Sequence, residues 1–163
     1  MLSIATVNVN GVRAAARKGM GEWLAAAKPD ILCLQEVRAP SEELAKLASA
    51  DGALGDDWHI VDQEASAKGR AGVAVLSRIP FTEIRMDIGP EEFDSAGRWL
   101  EADFETKAGK LTVVSTYVHS GEAGTPKQVE KYKFLEAMEQ RMAELIAGGR
   151  LAAVVGDLNV GHT

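Results

Sequence analysis

Short apolar runs alternate with amphipathic stretches along the chain. Eight of the apolar runs are brief, β-prone in composition and bounded by turn residues, which is typical of buried or half-buried strands. These predicted strands are Ser3–Val9, Asp30–Gln35, Trp58–Glu64, Ala71–Ser77, Thr82–Ile88, Trp99–Glu105, Leu111–Val118 and Leu151–Val155. The pattern therefore predicts a chain in which strands outnumber helices.

Three segments carry a helical spacing of apolar residues instead. In the segment Met20–Ala27 these residues recur at i, i+3, i+4 and i+7, and Pro29 ends the predicted helix. Ser41 can cap a second, short helix. Because predicted helices flank the strands, we expect a layered α/β fold. The aromatic residues expected in its core are Trp23, Trp58 and Trp99.

The third and longest predicted helix precedes the last strand. Thr125 suits its N-cap, Pro126 its first position, and Gln128 completes a capping-box pattern, while Gly148 ends the helix. The apolar side chains predicted to line one face are Val129, Tyr132, Leu135, Met138, Met142 and Leu145. The lysines expected on its solvated face are Lys127, Lys131 and Lys133.

The amino-acid composition and net charge favour some classes of protein over others for this chain. A chain of 163 residues, 46% hydrophobic and 26% charged, suits one globular domain. Its net charge of −6 counts against binding nucleic acid through bulk positive charge, although a local site can still bind phosphate. The lone cysteine, Cys33, lies in an apolar run, so we expect a buried thiol and a reducing, cytoplasmic location. With no apolar run near ~20 residues and no basic leader, we expect no membrane association.

Four of the predicted strands end in polar residues of similar kind. These residues are Asn8 and Asn10, Gln35 and Glu36, Tyr117 and His119, and Asp157 and Asn159. Sheets in α/β proteins gather such strand ends at one edge, where functional sites usually lie. We therefore expect these side chains to meet in one site.

The chemistry of these residues favours a hard cation. Carboxylate and amide oxygens without a cluster of Cys or His suit Mg²⁺ or Mn²⁺. Mg²⁺ usually takes one or two protein carboxylates, which leaves a further carboxylate free to act on a water molecule. That combination suits metal-assisted hydrolysis of a phosphate ester.

Each residue also has an ordinary structural explanation. Asn8 is typical of a turn at a strand end, Glu36 of a solvated strand end, and Asp157 of a cap on the segment that follows. Tyr117 is typical of a packed aromatic residue. The spacing of the polar residues alone therefore leaves a metal-dependent hydrolase as one of several explanations.

The polar segments also form an ordered set of motifs. The segments are Asn8–Ala14, Leu34–Glu36, Gly72–Ser77, Gly97-Arg98, Ser115–Val118 and Gly156–Val160, the last reading Gly-Asp-Leu-Asn-Val. In this order they resemble the motifs of the exonuclease III family of abasic-site endonucleases, within the endonuclease/exonuclease/phosphatase superfamily. The set spans essentially the whole chain and is specific, although each motif is short.

The resemblance implies the four-layer α/β sandwich of the DNase I-like superfamily. Family members continue past the Gly-Asp-x-Asn motif, so residues 1–163 correspond to the N-terminal part of a single such domain, with the C-terminal half absent. That second half supplies another sheet and further catalytic groups. We therefore expect one sheet alone here, with an apolar face left for a missing C-terminal segment or a partner chain.

The resemblance further implies a Mg²⁺- or Mn²⁺-dependent DNA repair nuclease. It would hydrolyse phosphodiesters 5′ of abasic sites and at the 3′ ends of double-stranded DNA. The implied metal ligands are Asn8, Glu36, Asp157 and Asn159. The implied catalytic residues are Tyr117, Asp157 and Asn159, and the implied substrate-binding residues are Asn10 and Arg98.

Two alternatives stay open from the sequence. The first is another phosphoesterase of the same superfamily, acting on RNA or on a small phosphate ester. The second is a catalytically incomplete fragment that only binds metal, DNA or a partner chain. The residues after Val118 add a departure, because His119 and Ser120 stand where many family members have proline and an amide residue.

Overall fold

A computed structural model describes residues 1–55, 57–66, 71–86, 88, 97–121 and 123–159. Within these ranges the strands are β1 (Ile4–Asn8), β2 (Ile31–Gln35), β3 (His59–Gln63), β4 (Val73–Ser77), β5 (Glu83–Met86), β6 (Trp99–Thr106), β7 (Gly109–Tyr117) and β8 (Leu151–Asp157). The helices are α1 (Val12–Arg17), α2 (Met20–Ala27), α3 (Ser41–Leu47) and α4 (Pro126–Ala147). All eight predicted strands are found, with small shifts at their ends. Residue 87 of the predicted fifth strand and Val160 of the last motif lie outside the described residues.

The strands form two four-stranded sheets. The first sheet has the order β1-β2-β4-β3 and the second the order β5-β6-β7-β8. Strands β1 and β2 are parallel, as are β7 and β8, while the other neighbours are antiparallel. Each sheet therefore has one parallel pair, and that pair lies at an edge of the sheet.

The two sheets pack face to face, and helices cover their outer faces. Ile31 and Cys33 of β2 join the core between the sheets, where they lie with Phe104 and Val113 of the second sheet. Leu32 and Leu34, which alternate with them along β2, join the core beneath helices α1–α3. Helix α4 covers the second sheet through a third core. The result is a helix–sheet–sheet–helix arrangement, which confirms the predicted four-layer α/β sandwich.

The expectation of one sheet alone, with an uncovered apolar face, is wrong. After β4 the chain leaves the first sheet and builds β5–β8, so these 163 residues themselves supply both halves of the central core. The inner faces of the two sheets cover each other. The cover is complete in the middle of the sheets, while Ile4 on β1 and Val155 on β8 are only partly buried.

The first helical region differs from the prediction in two ways. Helix α1 was not predicted, because Val12 is its only buried residue and its sequence has no apolar periodicity. The prediction that Trp23 lies in the core is wrong, since 45% of this residue is exposed on α2. Trp99 is fully buried as predicted, and Trp58 is half-buried beneath the guanidinium of Arg78.

Helix α4 begins as predicted but buries a different face. Thr125 is its N-cap and Pro126 its first residue, yet the side chain of Thr125 makes no cap hydrogen bond. The predicted apolar face is partly wrong, because Val129, Tyr132 and Met142 are exposed. The residues that α4 buries are Lys131, Phe134, Met138 and Leu145.

Phe134 accounts for this rotation. It is fully buried, and Met138 and Leu145 follow it on the same face. Lys131, one turn before Phe134, falls on that face too, so the prediction that it is solvated is wrong; Lys127 and Lys133 are exposed as predicted. Within the described ranges, no helix combines the length and the apolarity that crossing a bilayer requires.

Buried carboxylates tie α4 and the edge of the second sheet together. Glu101 on β6 accepts hydrogen bonds from Arg85 on β5 at 2.7 Å and from Arg141 on α4 at 2.7 and 2.8 Å. Asp103 accepts hydrogen bonds from Arg85 at 2.6 and 2.8 Å and from Arg150 at 2.7 Å. Both carboxylates are nearly inaccessible to water, so their charges depend on these arginines.

The hydrogen bonds also set the ionisation of Asp103. Burial alone would raise its pKa, but hydrogen bonds from Arg85, Thr112 and Arg150 outweigh burial and lower the pKa to about 2. An unfolded aspartate has a pKa near ~3.9. The ionised group therefore stabilises the fold above about pH 4, and this stabilisation is lost as the pH falls towards 2.

Replacing Asp103 should test this network. Asp103→Asn removes the charge that Arg85 and Arg150 share, and we expect the free energy of unfolding at pH 7 to fall by about 2 kcal/mol. This loss of stability is smaller than that expected for breaking a fully buried ion pair, because Arg85 and Arg150 remain partly exposed to water. We also expect a smaller loss of stability between pH 4 and pH 2 than in the wild type, as measured by urea unfolding.

Glu83→Gln is the matched control. Glu83 contacts Arg85 at 3.3 Å but is 66% exposed, so its removal should change stability by less than about 1 kcal/mol. Equal destabilisation by the two substitutions would contradict the stabilising role of the buried carboxylate.

Candidate active site

The parallel edge pairs bring four strand ends to one place. The register of β1 and β2 sets Asn8 beside Gln35, and that of β7 and β8 sets Tyr117 beside Asp157. A hydrogen bond of 2.8 Å from Asn8 Nδ2 to Asp157 Oδ2 then joins the ends of β1 and β8 across the two sheets. In the described residues these strand ends therefore meet as expected, but Gln35 is buried beneath them and His119 contacts α4 instead.

Asp157 is held on both of its oxygens. Oδ2 accepts the hydrogen bond from Asn8, and Oδ1 accepts one from the backbone N–H of Asn159 at 3.1 Å. Asn8 is itself fixed, because its Oδ1 accepts a hydrogen bond from the backbone N–H of Asn10 at 3.0 Å. The side-chain amide of Asn159 donates to the carbonyl of Val118 at 2.8 Å. The carboxylate of Asp157 therefore has a fixed orientation.

Glu36 lies directly after β2, next to the site that Asn8 and Asp157 form. Its carboxylate contacts Arg38 Nη2 at 3.1 Å, and only 12% of the side chain is exposed. It also lies close enough to the side chain of Tyr117, which belongs to the other sheet, to act on the pKa of that phenol. The backbone carbonyl of Glu36 accepts a hydrogen bond from Gly11 at 2.8 Å, so the segment after β1 is tied to Glu36 as well.

The surroundings keep Tyr117 protonated. Burial and the adjacent carboxylate of Glu36 raise the pKa of its phenol, and the nearby charge of Asp157 raises it further. At neutral pH the hydroxyl of Tyr117 is therefore a hydrogen-bond donor. It can donate to Glu36 or to an anionic ligand that enters between Glu36 and Asp157.

A buried polar cluster supports Glu36 from below. Gln35 is 1% exposed, and its Nε2 donates to Thr6 Oγ1 at 2.9 Å and to Ser115 Oγ at 3.1 Å. Ser115 Oγ donates in turn to the carbonyl of Leu34 at 3.0 Å. These bonds lock β1, β2 and β7 together immediately beneath the site. This role was not predicted, although a glutamine ending an otherwise apolar strand was the available signal.

The backbone around the site adopts an uncommon conformation. Asn10, Glu36, Arg38 and Asn159 all have left-handed backbone, with φ angles of 45°, 51°, 51° and 47°. Each such residue costs of order 1 kcal/mol, and such residues cluster at functional sites. The surrounding hydrogen bonds keep these four residues in place.

Gly156 permits the close approach of β8 to β7 next to Asp157. A Cβ atom at this position would lie 1.8 Å from the carbonyl oxygen of Thr116, so a side chain would force the strands apart. The glycine of the Gly-Asp-Leu-Asn segment therefore has a packing function, while the aspartate that follows it faces the site.

Arg98 and Asn10 are joined to the site mainly through their backbone. The carbonyl of Arg98 accepts hydrogen bonds from the N–H of Tyr117 at 2.9 Å and from Thr116 Oγ1 at 2.8 Å. The side-chain charge of Arg98 acts on His119, whose pKa is lowered by burial and by that charge. The substrate-binding roles given to Asn10 and Arg98 stay predictions, as do the catalytic and metal-binding roles.

The donor set of the site suits a hard cation. Asp157, Asn8 and Asn159 form one hydrogen-bonded group that supplies a carboxylate and two amides, and Glu36 adds a second carboxylate close to Tyr117. In the described ranges no group of three or more His, Cys, Asp or Glu side chains is placed to hold a metal ion. A site of few carboxylates completed by water is the kind that Mg²⁺ occupies, so the residues fit the predicted ion.

A basic groove, which was not predicted from the sequence, adjoins the site. Its volume is about 480 Å³, and its charged lining residues are Arg13, Arg17 and Arg38. The guanidinium of Arg13 also contacts the carbonyl of Arg38 at 3.4 Å. The signal was present in the sequence, because Arg13 and Arg17 are four residues apart in α1 and so share one helix face.

The sequence of the chain is similar to those of known proteins. Residues 5–163 match the model of the Endonuclease/Exonuclease/phosphatase family. A DNA-(apurinic or apyrimidinic site) endonuclease of Dictyostelium discoideum is 28% identical over 99% of this chain and 43% of its own length. An exodeoxyribonuclease of Bacillus subtilis is 30% identical over 95% of this chain and 57% of its own length.

The fold of the chain is also similar to that of a solved structure. An AP endonuclease from Archaeoglobus fulgidus superposes with a TM-score of 0.76 and 28% identity, covering 98% of this chain and 58% of its own. The chain thus spans about half the length of the curated relatives it matches. Both the match to the family model and the fold lead to one conclusion: the chain belongs to the endonuclease/exonuclease/phosphatase family.

Proposed function

We propose that this protein is a Mg²⁺-dependent DNA repair nuclease that hydrolyses phosphodiesters 5′ of abasic sites and at DNA 3′ ends. The observation that carries the proposal is the convergence of Glu36, Tyr117 and Asp157 with Asn8 at the shared edge of the two sheets. The names of its relatives, an abasic-site endonuclease and an exodeoxyribonuclease, support the substrate.

Glu36 and Asn8 would hold the metal ion, with Asp157 and Asn159 as further oxygen donors. When bound, Mg²⁺ polarises the phosphoryl oxygens and neutralises the charge that develops on them. Glu36 suits this role because its carboxylate is largely shielded from water, is held by Arg38 and lies close to Tyr117. Its contacts require little rearrangement, since carboxylate oxygens can accept several partners.

Asp157 would act on the attacking water. Its two oxygens each accept one hydrogen bond, from Asn8 and from the N–H of Asn159, and lone pairs remain for a water molecule. A fixed carboxylate of this kind can orient the water and accept its proton as the oxygen attacks phosphorus. The bond from phosphorus to the 3′ oxygen then breaks, and that oxygen takes up a proton to leave a 3′-hydroxyl and a 5′-phosphate. Because both donors fix the carboxylate plane, the direction of attack is fixed as well.

Tyr117 would bind the scissile phosphate. Its phenol is protonated at neutral pH and lies between Glu36 and Asp157, so it can donate a hydrogen bond to a non-bridging oxygen. Such a donor stabilises negative charge in the transition state more than in the bound substrate when it is already in position.

Local positive charge would offset the acidic character of the whole protein. The net charge is −6, yet the groove beside the site is lined by Arg13, Arg17 and Arg38. Guanidinium groups bind phosphate in a bidentate manner, and contacts of this kind position a nucleic acid without reading its sequence. A duplex with phosphates in this groove would extend from the predicted cleavage site.

The main alternative functions differ in substrate or in turnover. Another phosphoesterase of the family would act on RNA or on a small phosphate ester, and a panel of abasic duplex, intact duplex, RNA and inositol phosphates distinguishes these substrates. A module that only binds metal or DNA would use the same carboxylates and the same basic groove, but it would turn over no phosphodiester. Turnover of any phosphodiester by the purified protein would exclude that module.

Removing the Glu36 carboxylate should abolish metal-dependent cleavage. In Glu36→Gln we expect the rate of incision of a synthetic abasic duplex with Mg²⁺ to fall at least about a hundredfold, because one member of a cooperating catalytic group is lost. Single-turnover incision with protein in excess measures this rate. Glu42→Gln, which removes an exposed carboxylate on α3, should cleave at the wild-type rate.

Two results would count against the proposal. Cleavage by Glu36→Gln at the wild-type rate would exclude the role of Glu36. No cleavage of any DNA substrate by the wild-type protein, together with Mn²⁺ binding that depends on Glu36, would favour the binding module instead.

Removing charge from the groove should weaken DNA binding in a salt-dependent way. For the double substitution Arg13→Ala and Arg17→Ala, each lost phosphate contact should reduce the slope of log affinity against log salt concentration by about 0.9. Fluorescence anisotropy of a labelled abasic duplex at several salt concentrations measures the slope. Lys107→Ala, in the exposed turn after β6 and far from the site, should leave it unchanged. An unchanged slope in the double variant would show that DNA does not contact this groove.

A further inference from the structure

Lys131 is a buried lysine that faces the candidate site from outside the two sheets. It lies in the second turn of α4, and 8% of it is exposed. Lysine is rarely buried to this extent unless its ammonium group has a polar partner. Its Nζ donates a hydrogen bond of 2.5 Å to the backbone carbonyl of Asn159. The charge is therefore directed at the segment that carries Asp157 and Asn159.

Three polar groups of Asn159 have bonding partners. The backbone N–H donates to Asp157 Oδ1, the side-chain amide donates to the carbonyl of Val118, and the backbone carbonyl accepts from Lys131. The residue is left-handed, with a φ of 47°. An exposed residue in this conformation needs such contacts to stay there, because other backbone conformations are lower in energy.

The first turns of α4 also touch the segment that follows Tyr117. The ring Nε2 of His119 lies 3.2 Å from the carbonyl of Lys127. A Cβ atom at Gly121 would lie 1.8 Å from Gln128 Oε1 and 3.1 Å from Lys131 Cδ, so this segment packs closely on the helix. Helix α4 itself is anchored on the second sheet through Phe134. The helix is thus a rigid support for both segments.

We propose that Lys131 is a positioning residue: from α4 it fixes the backbone of Asn159 and thereby orients the carboxylate of Asp157 towards Asn8. The inference rests on the proposed function for its catalytic consequence. A purely structural role would instead stabilise the packing of α4 and leave Asp157 unaffected. The two roles differ in where the effect of a substitution appears.

Amide hydrogen exchange of the ¹⁵N-labelled protein tests the positioning role directly. In Lys131→Met we expect exchange of the Asn159 N–H, which donates to Asp157, to speed up about tenfold or more, as loss of a charge-assisted hydrogen bond implies. Exchange at Ala102 and Val113, in the buried strands β6 and β7, should stay at the wild-type rate. Lys131→Arg should restore slow exchange at Asn159, because guanidinium also donates to a carbonyl.

Lys133→Met is the matched control. It removes the same charge from an exposed position of the same helix, and we expect no change at Asn159. Unchanged exchange at Asn159 in Lys131→Met, or equal acceleration at Asn159, Ala102 and Val113, would overturn the proposal. If Lys131→Met does not fold, the same comparison is made with Lys131→Gln, whose side chain ends one bond short of the lysine ammonium.

Incision kinetics supply the second readout. We expect Lys131→Met to lower kcat on an abasic duplex by about 10- to 100-fold with KM within twofold, and Lys131→Arg to recover most of kcat. A change in KM alone would contradict the positioning of Asp157. If the wild-type protein cleaves no DNA, the proposed function fails, but the exchange experiment still decides whether Lys131 fixes Asn159.

Discussion

The face-to-face packing of the two sheets is the constraint on which the site depends. Ile31 and Cys33 of β2 share one core with Phe104 and Val113 of the second sheet, and this core sets how the sheets lie on each other. The hydrogen bond between Gln35 and Ser115 fixes the packing next to the site. A shift of either sheet would separate Glu36 from Tyr117, because these residues belong to different sheets.

Helix α4 stabilises this arrangement at both of its ends. Near its C-terminal end, Arg141 bonds to the buried carboxylate of Glu101 and so ties the helix to β6. Near its N-terminal end, Lys131 bonds to Asn159 beside the candidate site. Phe134 packs between these two polar contacts. The same helix therefore covers an apolar sheet face and supports the segment that carries Asp157.

Much of the fold could be predicted from local patterns, whereas details of the site could not. All eight strands were predictable, since burial on one or both faces imposes a visible period on residues such as those of β2. The burial of Lys131 and the exposure of Trp23 were not, because tertiary packing around Phe134 and the helix contacts decides them. The strand-end residues were predictable as a set. Their hydrogen bonds depend on register and on left-handed backbone, which neither composition nor spacing specifies.

Paramagnetic broadening by Mn²⁺ is the most direct test of the claim that four strand ends form one cation site. Mn²⁺ added to the ¹⁵N-labelled protein should broaden the amide resonances of Asn8, Glu36, Tyr117 and Asp157 together, at a lower concentration than those elsewhere. Glu36→Gln should remove this selectivity. Two results would contradict the account. One is broadening centred on other acidic side chains, such as Asp62 and Glu64, which lie together beside Ser41. The other is broadening of one strand end without the others.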